Sequence, residues 1–244
     1  VRSSQRQMCI RDSPDKEIVF VGVGFETTTP LVAMAIKRAQ ALGLKNFSVF
    51  VAHKNMPNAL EVIVSDPELK IDALILPGHV STIIGTKPYE FLAEKYGIPG
   101  VITGFEPVDV LQGIAMIMRQ LHEGRAEIEI AYSRGVMREG NPVALAAIDE
   151  VFDTVDATWR GLGVIPGSGY AIREEFEDFD AVKRFHPEVE PTQNPKGCRC
   201  GDVLRGIMAP DECPLFRKVC TPENPVGPCM VSSEGSCAAY YRYY

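Results

Sequence analysis

Between residues 17 and 165, short runs of apolar and β-branched residues alternate with longer segments of helical spacing. The strand-like runs read EIVFVGVG, NFSVFVAH, DALILPG, PGVITG and AEIEIAYS. A helix-like segment follows each of them, often with a proline in its first turn. Strands that alternate with helices form βαβ units and a mainly parallel sheet. The sequence therefore predicts an α/β body over residues 15–165.

Three further segments flank this body. Residues 1–14 contain VRSSQRQMCIRDS, which has no clear period, and we interpret them as a tail derived from adapter or vector sequence, with a frayed native tail as the alternative. Residues 166–197 are rich in proline, glycine and charge, which predicts a connecting segment with one short helix near DFDAVKRF. Residues 198–244 hold six of the seven cysteines. Cys9, in the tail, is given no role.

The bulk composition excludes several classes of protein. The net charge of −7 argues against a nucleic-acid binder that works by phosphate attraction. No apolar run is long enough to span a bilayer, and the first twenty residues lack a signal peptide's apolar stretch. We therefore expect no membrane partner and a cytoplasmic location, where thiols stay reduced. In that setting the cysteine cluster is better explained by metal or redox chemistry than by structural disulfides.

The cysteines are spaced C-x-C-x12-C-x6-C-x8-C-x7-C. Structural zinc sites usually contain paired C-x2–4-C knuckles, and this region has no C-x-x-C. Iron–sulfur clusters accept more varied spacing. The spacing favours an iron–sulfur cluster, with zinc and then disulfides as alternatives. With four ligands to a cluster, two cysteines remain that could form a redox dithiol.

Polar residues follow several of the predicted strands. GVGFETTTP stands between a strand and a helix, where α/β sheets bind ligands, but no third glycine completes a dinucleotide fingerprint. A similar Gly-Phe-Glu sequence begins 80 residues later, at Gly104. Ionisable residues at the ends of three consecutive strands predict one site at a common sheet edge; they are His53 and Lys54, His79, and Glu106 and Asp109. Neither G-x-S-x-G nor H-E-x-x-H occurs.

Four segments together resemble one family. They are GFETTTP, PGHVSTIIG, TGFEPVDVLQG and the long run from NPKGCRCGDVLRG to SCAAYYRY. These segments resemble HypD, a family that matures the iron centre of [NiFe]-hydrogenases. The resemblance extends from Asp15 to the last residue, which leaves residues 1–14 outside it.

The resemblance implies a scaffold rather than a turnover enzyme. With HypC, and with HypE delivering cyanide-derived groups, such a scaffold assembles Fe(CN)2CO. It also implies a body of two similar half-domains and a small irregular C-terminal module with a [4Fe–4S] cluster, similar to ferredoxin:thioredoxin reductase. In this numbering the implied ligands are Cys198, Cys213, Cys220 and Cys237. The implied redox pair is Cys200 and Cys229, and Arg199 between two cysteines could favour a thiolate.

One departure bears on the function. HypD proteins carry a Cys-Gly-x-His and a Cys-Pro-x-Cys motif that hold the nascent iron, and this sequence has neither. We therefore expect a fragment resembling the C-terminal two-thirds of a HypD. Such a fragment keeps the cluster and lacks the iron-assembly site. In the intact family the strand-end loops face the cleft that receives iron and HypC, so the resemblance implies that Thr27, Thr28, His79 and Glu106 line it. The alternatives are a zinc-stabilised α/β interaction protein without a redox role and an α/β enzyme of small-molecule metabolism.

Overall fold

The computed structural model describes residues 13–188 and 195–244. Cys9 and most of the predicted tail lie outside the described residues. The described chain contains two separate parallel sheets, one antiparallel hairpin and a cysteine-rich C-terminal module. It is the α/β architecture that the alternating sequence predicted, but the parallel strands are divided between two sheets.

The first sheet consists of β1 (Ile18–Gly24) and β2 (Phe47–His53). The strands are parallel, and their register places Gly24 opposite His53. Helix α1 (Thr29–Ala41) connects them and begins with a proline in its first turn, where a missing N–H group costs nothing. Its inner face packs on β2 through buried aliphatic side chains, which are Val32, Ala33, Ile36 and Ala39.

The second sheet consists of β3 (Leu74–Pro77), β4 (Gly100–Thr103) and β5 (Ile128–Ile130). All three strands are parallel, with β4 in the centre, so β5 is an edge strand as its alternating pattern predicted. The helices around this sheet are α2 (Met56–Val64), α3 (Gly78–Ile84), α4 (Glu90–Glu94) and α5 (Pro107–Glu123). Its core includes fully buried Leu76, Leu92 and Ile102.

Helix α6 (Pro142–Val151) leads into a long hairpin that sequence reasoning missed. Strands β6 (Phe152–Trp159) and β7 (Gly163–Ile172) are antiparallel, with a bulge near Val155. The prediction of a connecting segment from residue 166 is therefore wrong for its first part. Prolines and glycines in GVIPGSGYAI suggested a loop, but pairing with β6 satisfies this backbone. The predicted short helix is confirmed as α7 (Ala181–Phe185).

The C-terminal module is built from short helices and turns. Its helices are α8 (Cys200–Leu204), α9 (Pro228–Val231) and α10 (Ser236–Tyr243). The aromatic tail packs back on the module, because the rings of Tyr240 and Tyr241 lie 6.0 Å and 5.9 Å from that of Phe216. In the described parts of the chain, no helix combines the length and apolarity needed to cross a membrane.

Candidate functional site

The module brings all six of its cysteines into one cluster. Four of them are buried and form the module core with Phe216, Met230 and Ala238; they are Cys200, Cys220, Cys229 and Cys237. The sulfur atoms of Cys198 and Cys200 lie 3.2 Å apart. Those of Cys200, Cys229 and Cys237 all lie within 4.8 Å of one another. Sulfur atoms thus occupy the positions that aliphatic side chains take in an ordinary core.

A small cavity opens inside this cluster. Five cysteines line it, together with apolar residues such as Leu215 and Met230; they are Cys198, Cys200, Cys213, Cys220 and Cys237. Cys229 is not among its lining residues and lies beside Cys200. Thiolates inside an apolar shell are the donor set that iron–sulfur clusters and zinc prefer. The residues present therefore fit either metal group.

Gly227 explains how the sulfur atoms approach so closely. A Cβ atom built on it would lie 2.5 Å from Sγ of Cys198 and 2.7 Å from Sγ of Cys200. The cluster therefore requires a residue without a side chain at this position. Contact with the Cys200 thiol, together with burial, raises the pKa of the Cys229 thiol to about 12. A metal or a disulfide would remove this penalty by taking the place of the thiol proton.

Arg199 does not have the role that its position suggested. Its Nε atom pairs with Asp202 in the next turn, so its charge is directed at a carboxylate rather than at a sulfur atom. Arg205 in the same segment joins the module to the body through an ion pair with Asp66. Its Nη2 atom also donates to Oδ1 of Asp202 over 2.6 Å, and the backbone N–H of Lys70 donates to its carbonyl oxygen.

The first Gly-Phe-Glu turn, Gly24–Glu26, buries its glutamate. Glu26 is 2% exposed, and its Oε1 atom accepts a hydrogen bond of 2.9 Å from the backbone N–H of Met56. Desolvation raises its pKa to about 7, although two backbone hydrogen bonds act in the opposite direction. Thr27 is half-buried and Thr28 exposed beside it. A Cβ on Gly24 would lie 2.4 Å from Oγ1 of Thr28, so this turn also depends on a glycine.

His53 is buried beside the same turn. Both of its ring nitrogens lack a hydrogen-bond partner among the described residues, and burial lowers its pKa, so the ring is neutral at pH 7. A Cβ on Gly22 would lie 2.7 Å from its Cε1 atom. Packing against this glycine therefore fixes the ring in place.

The second Gly-Phe-Glu turn, Gly104–Glu106, leaves its glutamate in solvent. The Glu106 side chain is 74% exposed and lies 3.0 Å from Nη2 of Arg134. Arg134 also donates to both carboxylate oxygens of Asp109, which lowers the pKa of that carboxyl. The His79 ring is in the first turn of α3, 4.7 Å from the Phe105 ring. His79 and Glu106 are therefore neighbours at the ends of β3 and β4.

The expectation of one edge shared by all three strand ends is wrong. His53 and Lys54 belong to the first sheet, while His79 and Glu106 belong to the second. Sequence reasoning also missed Arg134 and Trp159. Arg134 lies over the ring of Tyr132, at 4.4 Å from its centroid. Trp159 lies 6.0 Å from the ring of Phe25 and receives Lys54 over its face. Only its status as the single tryptophan marked it in the sequence.

Comparison with known proteins identifies the family. The family model HypD, described as the hydrogenase formation hypA family, matches residues 3–244. The chain is 50% identical to the hydrogenase expression/formation protein HupD of Azotobacter chroococcum over 239 residues, which are 96% of this chain and 63% of that protein. It is 48% identical to the hydrogenase maturation factor HypD of Cupriavidus necator over 237 residues, 94% of this chain and 62% of that protein.

A third relative gives the same result. The HypD of Rhodobacter capsulatus is 48% identical over 238 residues, which cover 96% of this chain and 63% of that protein. The chain thus spans slightly less than two thirds of the length of these relatives. The family match, the α/β body and the cysteine cluster agree, and this chain belongs to the HypD family of hydrogenase formation proteins.

Proposed function

We propose that this chain takes part in hydrogenase maturation in the cytoplasm, as a scaffold rather than as a turnover enzyme. Its substrate is the nascent Fe(CN)2CO centre, and its partners are HypC and HypE proteins. Family membership supports this assignment, and no nucleophile or dinucleotide motif occurs in the body. The observation that carries it is a cluster of six cysteines, five of which line one small cavity, in a chain of this family.

The module, residues 198–244, holds a [4Fe–4S] cluster in this proposal. The ligands are Cys198, Cys213, Cys220 and Cys237, and all four line the same cavity. When bound, the cluster supplies electrons one at a time. The apolar residues around the cavity keep water away from the sulfur atoms.

The remaining pair, Cys200 and Cys229, is the redox dithiol. Their sulfur atoms are adjacent, and Cys229 lies outside the cavity, which supports keeping it apart from the ligands. Disulfide formation would remove two electrons and two protons from these thiols. The pair would therefore store two electrons next to a group that transfers one.

The strand-end residues contact the substrate or the partner in this proposal. Thr27, Thr28, His79 and Glu106 are the candidates; Thr28, His79 and Glu106 are exposed, and Thr27 is half-buried. Arg134 holds Glu106 in an ion pair, and the exposed Phe105 ring packs against His79. These groups offer hydroxyl, imidazole and charged contacts of the kind that bind a polar ligand.

A zinc-stabilised interaction protein is the second candidate. The close group of Cys200, Cys229 and Cys237, with Cys198 at 3.2 Å from Cys200, offers four sulfur atoms for a tetrahedral zinc site. In this case the module has no redox role. The two candidates differ in the metal and in the identity of the ligands.

Metal analysis after anaerobic purification separates the two. The proposed cluster requires about four irons and four sulfides per chain and a broad absorbance near roughly 400 nm that bleaches on reduction. One zinc per chain in a colourless protein would contradict the redox function. A chain without any metal would contradict both candidates.

Two matched serine variants test which sulfur atoms are ligands. Cys213→Ser should lose the iron, because Cys213 is a proposed ligand, whereas Cys229→Ser should keep it. If Cys229→Ser loses the metal and Cys213→Ser retains it, the ligands are those of the zinc alternative.

A variant of the strand-end site tests the scaffold role. In a full-length family member that carries this sequence, Glu106→Ala should lower hydrogenase activity in cells while iron content stays unchanged. Glu94→Ala, at an exposed position on α4, is the matched control. Equal hydrogenase activity in the two variants would show that Glu106 is not part of the site.

A further inference from the structure

The hairpin of β6 and β7 contacts the cysteine module at its turn and the segments that follow β1 and β2 along its strands. Its turn lies against α8 of the cysteine module: a Cβ built on Gly201 would be 2.7 Å from the carbonyl oxygen of Gly161. A Cβ built on Gly161 would be 3.8 Å from the Cβ atom of Cys200. The turn is therefore packed, backbone against backbone, on the first residues of α8.

The same hairpin carries Trp159 at the end of β6, two residues before Gly161. The indole N–H donates to Oγ of Ser168 over 2.8 Å, which fixes the ring on the hairpin. Its face receives the Lys54 ammonium at 5.5 Å, and the Phe25 ring lies 6.0 Å away. Trp159 thus contacts the segments that follow β1 and β2, where the first Gly-Phe-Glu turn lies.

Backbone and amide hydrogen bonds reinforce this connection. Lys54 Nζ donates to the carbonyl oxygen of Thr158 over 2.8 Å. The Asn55 side chain donates to Gly167 over 2.6 Å, and its backbone N–H donates to the carbonyl oxygen of Ser168 over 2.9 Å. A displacement of the hairpin would therefore move the segment after β2, because several hydrogen bonds join them.

We infer that the hairpin couples the bonding state of Cys200 to the Gly24–Glu26 turn and Lys54 at the ends of β1 and β2, with Trp159 as the positioning residue. The inference rests on the proposed redox role of Cys200 and Cys229. When these thiols form a disulfide, they lose two electrons and two protons, and an exchanging small-molecule disulfide accepts them as it becomes two thiols. The new bond draws together two sulfur atoms that are now in non-bonded contact, and Cys200 is the first residue of α8.

Close packing transmits a movement of Cys200 to the hairpin. Because α8 and the hairpin turn touch at Gly201 and Gly161, where neither residue has a side chain, a shift of the Cys200 backbone is passed directly to the turn. The turn moves with α8, and the Trp159 ring changes its contact with Lys54 and Phe25. If the Trp159 ring has different contacts in the dithiol and the disulfide, replacing it changes the free energies of the two states unequally and shifts the equilibrium between them.

Trp159 provides the measurement, because it is the only tryptophan of the chain. The purified, metal-loaded protein is titrated anaerobically with mixtures of oxidised and reduced dithiothreitol while tryptophan emission is recorded. Alkylation and mass spectrometry report the Cys200–Cys229 disulfide in the same samples. We expect the emission to change in step with disulfide formation and to stay constant in Cys200→Ser and Cys229→Ser.

Trp159→Phe supplies the reciprocal test. It should shift the dithiol–disulfide equilibrium constant about fivefold or more, the range typical of coupled sites. Gly201→Ala should alter the tryptophan emission of the reduced protein, because the new Cβ displaces the hairpin turn.

The outcomes separate this inference from the proposed function. A disulfide that forms without any change in emission, and with an unchanged equilibrium in Trp159→Phe, would overturn the coupling and leave the redox pair intact. If no Cys200–Cys229 disulfide forms under any of the mixtures, the redox assignment fails and the coupling fails with it.

Discussion

The α/β body and the cysteine module differ in what fills their interiors. The body has two large apolar clusters, in which residues such as Ile36, Leu92 and Ile102 are fully buried. In the module, four of the seven buried cluster residues are cysteines. An apolar cluster stabilises a fold by itself, whereas a cluster of sulfur atoms in a short segment depends on what those atoms bind. We therefore expect the body to fold by burial alone and the module to fold by ligation.

The strongest test of this difference is metal removal. Stripping the metal with a chelator under reducing conditions should abolish amide-exchange protection across residues 198–244, while the body keeps its protection. Hydrogen exchange with mass spectrometry measures both regions in one sample. Cys213→Ser should reproduce the loss without a chelator. A module that remains protected without metal would show that its apolar residues suffice.

The second test weakens the body and leaves the module unchanged. Leu92→Ala should lower the free energy of unfolding of the body by about 2–5 kcal/mol, because it leaves a cavity at a fully buried position. Chemical denaturation measures the change, and iron content per chain should stay constant. Leu111→Ala, at an exposed position on α5, should stay within about 0.5 kcal/mol of the parent. Equal losses in the two variants would contradict the assigned core.

The third test uses pH within the body. Because burial raises the pKa of Glu26 from 4.5 to about 7, the folded state binds a proton that the unfolded state has already lost between these pH values. The free energy of unfolding must then fall as pH rises through this range, by about 3 kcal/mol at most. In Glu26→Gln this fall should disappear, so the variant gains stability relative to the parent as pH rises. Parallel pH profiles would show that Glu26 is not buried as a neutral acid.

The smallest effect is expected where the two regions meet. Asp66→Asn should weaken docking of the module only slightly, since the ion pair with Arg205 is partly solvated. Faster amide exchange in residues 198–206 with unchanged iron content would be the signature. Asp178→Asn, which changes a carboxylate that is 82% exposed, is the control and should leave this exchange unaltered. An identical change in amide exchange for both variants would show that the Asp66–Arg205 ion pair does not hold the module to the body.

The sequence predicted the elements of the fold better than their arrangement. Patterns of spacing identified β1 to β5 and most of the helices between them, because period and capping are local properties. They missed α3, which begins directly after β3. They did not reveal that His53 and His79 end strands of different sheets, since the choice of strand partner depends on distant contacts. The β7 strand was missed because Gly169 and its neighbours resemble a loop, although Gly169 is needed there: a Cβ would lie 2.7 Å from that of Ala157.

The candidate site shows the same limit. Cysteine count and spacing identified the cluster, because six cysteines within 40 residues have few uses other than metal binding, redox chemistry or disulfides. Arg134 was missed, since its contact with Glu106 spans 28 residues and no local pattern marks it. The two Gly-Phe-Glu turns look alike in sequence, yet Glu26 is buried under α2 and Glu106 is exposed. Thr27 and Thr28 make the first turn longer, whereas Glu106 directly precedes its helix.

Substitutions at Gly227 would perturb the cysteine cluster without altering any sulfur atom. A cysteine variant removes a possible metal ligand and a redox-active thiol at the same time, so the two effects cannot be separated. A methyl group at position 227 would instead compete for the space of two sulfur atoms while all six thiols remain in the chain. A series of variants from glycine through alanine to valine would increase the steric crowding at the cluster stepwise. The metal content of each variant would measure how much crowding the six cysteines tolerate before they no longer bind the metal.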